Sequence, residues 1–223
     1  MVTLAPELAG SDKLIVRLTK TYGIQVSLGH SAATYEDGVK AMSHGATCLT
    51  HLFNAMNPLH HRQPGLAGLI SNSKHPPHYS LIADGVHLHP STLALAYRAN
   101  PQRSILITDS IEVAGLPDGT YPGHAQIPHK QTKVGNKVVI ENTDTLIGSC
   151  ISMDECVMNL VKWTGCSIAQ AVVCATENIA DMMRSRDIGR LNEGCYADFV
   201  VLDDYGKLLE TWVGGHKVWG YEG

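Results

Sequence analysis

Along the first half of the chain, short apolar, β-prone runs alternate with segments whose apolar residues recur at helical spacing. The runs occupy residues 2–5, 24–28, 46–49, 79–83 and 104–107. Between them, Leu14, Ile15 and Leu18 make an apolar stripe, Thr34 with Asp37 has capping-box spacing ahead of Val39 and Met42, and Pro90 opens residues 91–99 as a first-turn proline. Strand, loop and helix therefore repeat, the order that builds a parallel sheet covered by helices. From 115 to 148 the chain is rich in Gly, Pro and polar residues, with a β-like run at 137–140, which predicts a loop and hairpin excursion able to cover a site. Two helices are expected next. Ser152 with Glu155 caps one, which Gly165 ends, and Ser167 with Gln170 starts the other; Val157, Leu160, Val161, Ala171 and Val172 supply their apolar faces. After Gly189 the pattern turns to short β-prone runs at 198–202, 208–213 and 216–219, a small β module.

Composition narrows the function classes. The 223 residues are 44% hydrophobic and 17% charged with a formal net charge of −4, which suits a globular chain and argues against nucleic acid or a membrane surface as partner. The six cysteines lie far apart without a CxxC pair, so they read as reduced, buried and cytoplasmic. The first residues lack the basic stretch and apolar run of a signal peptide, and no later run reaches membrane-spanning length. A small-molecule partner is expected.

Each apolar run of the first half is followed at once by a polar residue able to do chemistry: Glu7, His30, His51, Asp84 with His87, and Asp109. Glu7 and His30 stand 23 positions apart, His30 and His51 21, and His87 and Asp109 22, each near one βα unit. In a βα barrel the carboxyl ends of successive strands converge on one face. One carboxylate and two imidazoles there form a ligand set for a zinc-like ion with an open position for water, and Asp109 is placed to move a proton, which together describes metal-assisted amide hydrolysis. Three of these residues also have a plainer role: His30 as a strand-end cap, Glu7 as a first-turn acid, Asp109 as the N-cap of a following helix. His124, His129 and His216 read as solvated, Cys48 as core, and Gly148-Ser149 as a turn whose amides can face a ligand.

These residues sit in segments that resemble the N-acetylglucosamine-6-phosphate deacetylases of the amidohydrolase superfamily. The segments are Val2-Thr3-Leu4-Ala5-Pro6-Glu7, Ser27-Leu28-Gly29-His30-Ser31, Thr50-His51-Leu52-Phe53-Asn54-Ala55-Met56, Arg62-Gln63-Pro64-Gly65, Ala83-Asp84-Gly85-Val86-His87 and Thr108-Asp109. The tail from Gly194 to Asp203 resembles the superfamily's returning β module. The resemblance implies an α/β fold. A partial TIM-type (β/α) barrel made of its carboxy-terminal strands, with a helical extension, would cover residues 1–188, and part of a small β-sandwich module would cover 189–223. It implies that Glu7, His30 and His51 hold a divalent metal, zinc first, with iron, cobalt or manganese as alternatives, and that Asp109 is the general base and then the acid. His87 would contact the sugar, while the amides of Asn54 and Ala55, with Arg62 and His60 or His61, would bind the 6-phosphate. It also implies a homodimer. Two departures stand out. Ile147 replaces a hydroxyl residue in Leu146-Ile147-Gly148-Ser149 beside the active-site loop, and the family's strands before the Val2 run are absent, which describes an amino-terminally truncated form with little or no turnover on its own. The rivals are a catalytically impaired form that binds metal or a partner subunit, and an amidohydrolase acting on a cyclic amide.

Overall fold

The computed structural model describes residues 1–124 and 127–221. Five parallel strands, β1 (Val2–Leu4), β2 (Val26–Leu28), β3 (Cys48–Leu49), β4 (His78–Ile82) and β5 (Ser104–Ile107), pair in sequence order. The sheet is open, with β1 and β5 at its edges. Between strands run α1 (Ser11–Val16), which continues as a π-turn over Arg17–Thr21, then α2 (Tyr35–His44), a 3-10 turn at Leu66–Ser71, and α3 (Pro90–Ala99). Leu28, Leu49, Leu81 and Leu106 from the strands and Leu66, Leu69 and Leu93 from the crossovers are fully buried in one core. Burying such side chains is the main drive for this layering, at about 1.5–3 kcal/mol each.

The expected apolar stripe of α1 is narrower than Leu14, Ile15 and Leu18 suggest. Ile15 is buried and Leu18 packs on the core, but Leu14 faces water, because Ser11 and Ile15, four positions apart, set the inward face. The Thr34–Asp37 capping box forms as expected, and α3 begins on Pro90 with the His89 ring accepting the Ser91 amide.

Residues after β5 hold more structure than a loop and hairpin. Strands β6 (Gly119–Tyr121), β7 (Gln131–Val134), β8 (Lys137–Ile140) and β9 (Leu146–Ser149) form an antiparallel sheet in that order. Helix α4 (Met153–Thr164) carries the Ser152–Glu155 box and ends on the left-handed Gly165. The second expected helix is two: α5 (Ile168–Ala175), with the Ser167–Gln170 box, and α6 (Glu177–Met183), separated where Thr176 leaves helical geometry at φ −133°, ψ −85°. Strands β10 (Phe199–Leu202), β11 (Leu208–Val213) and β12 (His216–Gly220) make the antiparallel tail. No helix among the described residues is long and apolar enough to cross a membrane.

The break at Thr176 brings α6 against β5. Asn178, buried at 4% exposure, donates its side-chain amide to the carbonyls of Pro101 at 3.0 Å and Ser104 at 2.7 Å. It thereby supplies a donor to a carbonyl of Ser104 on β5, at the edge of the described sheet. Asn178→Ala is expected to cost about 1–3 kcal/mol, the cost of leaving buried acceptors unpaired, read as a lower urea midpoint with an unchanged slope. A loss of only a few tenths of a kcal/mol would show that water replaces the amide.

Candidate active site at the carboxyl ends of the parallel strands

The loops that leave β1, β2 and β3 are tied to one another. Glu7, in the turn after β1, accepts from the Ser31 hydroxyl at 2.7 Å and the Ala32 amide at 2.8 Å, both next to His30. The Ser31 amide in turn donates to Ala55 O at 2.9 Å, and the Asn57 side chain donates to Ala32 O at 2.7 Å. Across these loops His30 and His51 meet edge to face with centroids 4.7 Å apart, and their Nε2 atoms stand 2.8 Å apart. His51 Nδ1 lies 3.1 Å from Asn54 O. A carbonyl only accepts, so Nδ1 carries the proton and Nε2 keeps its lone pair. Burial, chiefly, lowers the His51 pKa, His30 lowers it further, and the charge of Asp109 acts in the opposite sense. Asp109, which follows β5, therefore lies close enough for its charge to act on His51.

Backbone geometry marks the same residues. His30, His51 and Asp109 adopt positive φ values of 49°, 27° and 51°, as do Phe53 at 72° and Ala55 at 48°. Non-glycine residues in this region cost free energy and concentrate at functional sites. The His51 strain is held by β4: Ser80 Oγ accepts the His51 amide at 2.7 Å and donates to Leu49 O at 3.3 Å, while Ser80 O takes the Leu52 amide at 2.8 Å. Sequence reasoning missed Ser80; its one trace is a hydroxyl in the otherwise apolar run 79–83.

Asp109 is anchored from the other side. Its carbonyl accepts the Ser149 amide at 3.0 Å, and the Ile111 amide donates to Ser149 O at 3.1 Å. A Cβ on Gly148, whose φ is 139°, would stand 2.5 Å from Ile111 Cγ2 and 3.1 Å from Asp109 O, so only glycine allows this approach. The segment expected as a turn offering amides to a ligand is thus strand β9, and its Ser149 amide is already taken.

The phosphate set is only partly assembled. The Asn54 amide donates to His51 O at 2.9 Å, closing a turn, whereas the Ala55 amide has no hydrogen-bond partner among the described residues. Arg62 and His60 line a cleft of about 510 Å³ with Thr34, Tyr35, Asn57 and Gln63. The His61 ring lies 4.2 Å from that of His60, and both are exposed. After β4, Asp84 Oδ2 lies 2.6 Å from His87 Nδ1. Away from the site, His129 and His216 are exposed as expected, but His124 is half-buried, 3.7 Å from Glu112. Cys48 is core, and all six cysteines are free.

The donor chemistry suits a divalent ion. Two nitrogens on one tetrahedral zinc at about 2.0–2.1 Å stand about 3.3 Å apart, so the two imidazoles face each other near ligand spacing, with a backbone carbonyl fixing the His51 tautomer as metal-ligating histidines require. Among the described residues, however, no three His, Cys, Asp or Glu side chains stand in metal-holding geometry. Both oxygens of Glu7 are engaged, one by the Ser31 hydroxyl and the other by the Ala32 amide.

Residues 13–218 match the Amidohydrolase family. An N-acetylglucosamine-6-phosphate deacetylase of Danio rerio is 42% identical over 98% of this chain and 54% of its own length. The crystal structure of N-acetylglucosamine-6-phosphate deacetylase from Thermotoga maritima matches with a TM-score of 0.89 and 34% identity over 98% of this chain and 59% of that one. A variant of the Mycobacterium smegmatis enzyme in complex with N-acetyl-D-glucosamine-6-phosphate matches with a TM-score of 0.89 and 32% identity over 98% of this chain and 57% of that one. The chain spans about half the length of the curated relatives it matches, 54% for the Danio rerio protein.

Proposed function

The chain belongs to the amidohydrolase family, and we propose that its strand-end site hydrolyses the acetamide of N-acetylglucosamine 6-phosphate to glucosamine 6-phosphate and acetate. The observation that carries this reading is the meeting of His30 and His51 Nε2, with Asp109 close enough for its charge to act on His51. Glu7, His30 and His51 would hold one divalent metal, zinc before iron, cobalt or manganese, once a Glu7 oxygen turns from Ser31 or Ala32. When bound, the metal supplies Lewis acidity for the amide carbonyl and lowers the pKa of water.

The chain's own residues do the rest. Asp109 takes a proton from the attacking water on its carboxylate and returns it to the leaving nitrogen, so that the amine and acetate separate. Arg62, with its planar fork of donors, and the unpaired Ala55 amide suit a phosphate dianion, with His60 and His61 beside them. His87 contacts the sugar. A homodimer in the cytoplasm belongs to the same reading, and the free cysteines accord with it. The incomplete ligand set favours a second reading, in which the chain binds metal or a partner subunit without turnover: among the described residues no three His, Cys, Asp or Glu side chains stand in metal-holding geometry.

Acetate release is the test, from the 6-phosphate sugar, from the same sugar without phosphate and from a cyclic amide, with the chain alone and with the strands that precede the matched region in its relatives supplied. Hydrolysis that needs both phosphate and metal is expected. Turnover of the cyclic amide alone would overturn the proposal, and metal binding without turnover in either arrangement would establish the second reading.

A further inference from the structure

The turn after β4 places a carboxylate behind an imidazole. Asp84 Oδ1 accepts the amides of Val86 at 2.9 Å and His87 at 2.8 Å, while Oδ2 lies 2.6 Å from His87 Nδ1. The side chains of Asp84 and His87 are 0% and 7% exposed. Gly85 makes the turn at φ 75°. Burial raises the Asp84 pKa, but the His87 ring and the two amides outweigh it and hold the carboxyl below its usual range. An ionised carboxylate only accepts, so the proton between the two side chains sits on His87 Nδ1. His87 Nε2 has no hydrogen-bond partner among the described residues, and it is not one of the sealed unpartnered polar atoms.

We propose that Asp84 is a positioning residue, which fixes His87 with its proton on Nδ1 and presents Nε2 as a bare hydrogen-bond acceptor to a hydroxyl of the substrate. The contact rests on the sugar reading above; the positioning does not. A ring held on one side by a buried carboxylate cannot flip or exchange tautomer without breaking a charge-assisted bond. The two amides at Oδ1 lock the carboxylate in turn, so aim and tautomer are both set before a ligand arrives. The chemical class selected is a neutral donor, an alcohol, and not the phosphate that the guanidinium of Arg62 suits.

Asp84→Asn tests this without changing shape. The Asn carbonyl can keep the two backbone amides, which leaves its NH₂ facing Nδ1. A donor there strips Nδ1 of its proton and moves it to Nε2, turning the acceptor into a donor, the tautomer inversion expected when a carboxylate behind a histidine becomes an amide. Nitrogen-15 imidazole spectra of the full chain read the tautomer directly, and titration with N-acetylglucosamine 6-phosphate reads the contact. The expected result is Nδ1–H in the unsubstituted chain, Nε2–H in the variant, and sugar-phosphate affinity about tenfold lower or more, as for loss of a group that orients a site histidine, with circular dichroism unchanged. An unaltered tautomer in the variant overturns the positioning. A changed tautomer with unaltered affinity overturns the hydroxyl contact. Nδ1–H in an unsubstituted chain that does not bind the sugar phosphate overturns only the substrate reading.

Discussion

Asp109→Asn is expected to lower acetate release from N-acetylglucosamine 6-phosphate by about 10²-fold or more, the range for a positioned acid or base, while metal content and circular dichroism stay the same. The substitution keeps the side chain's size, and the hydrogen bond that holds residue 109 in place is made by its backbone carbonyl, which accepts the Ser149 amide. Only the capacity to take and return a proton is removed. Turnover in the assay described above, measured beside metal stoichiometry, decides the matter. Near-normal turnover with metal retained would leave Asp109 as a strained strand end with no part in proton transfer.

Loss of metal is the second large effect. Alanine at His51 is expected to reduce bound divalent ion to near none, and alanine at His30 or Glu7 to reduce it sharply, by elemental analysis of dialysed protein. A three-donor site left with two neutral or weakly placed donors holds the ion poorly. His51 has the largest expected effect because Asn54 O and the Ser80 hydroxyl both serve to fix it. Glu7→Ala carries a further consequence, since it frees the Ser31 hydroxyl and the Ala32 amide that join the β1 and β2 loops. Unchanged metal content in any one variant removes that residue from the ligand set.

The five parallel strands were legible because each is an apolar run followed by a polar residue, and the three capping boxes because a side-chain oxygen three positions before its partner is a local arrangement. What escaped the sequence depends on distant partners. Gly148-Ser149 reads as a turn because of its glycine; these residues end β9 because that glycine lets the chain pass against Asp109 O. Helix α6 was hidden because Thr176 breaks the helical run without a proline or glycine. Among the candidate residues, the sequence pattern placed His30, His51 and Asp109 at strand ends, where the fold has them, but nothing in the string encodes their shared left-handed backbone or the Ser80 hydroxyl beneath one of them. The turn bond of the Asn54 amide to His51 O is likewise invisible in the motif.

The sheet of β6 to β9 leaves the chain just after Asp109 and returns at Ser149, where the two ends are bonded to each other. It is therefore a closed appendix hung from one rung of the ladder, and its far end is the exposed β8–β9 turn at residues 141–145, because Lys137 at the other end of β8 pairs with Ser149 and Asn136 O accepts the Cys150 amide. The cost of closing a longer loop grows only with the logarithm of its length, about 0.6 kcal/mol per doubling. Insertions at Asp144, in the exposed far turn, would thus be tolerated as a graft, whereas a single added methyl at Gly148, on the hinge itself, would displace Asp109. Evolution or a designer can vary this sheet at its tip while its root beside Asp109 stays invariant.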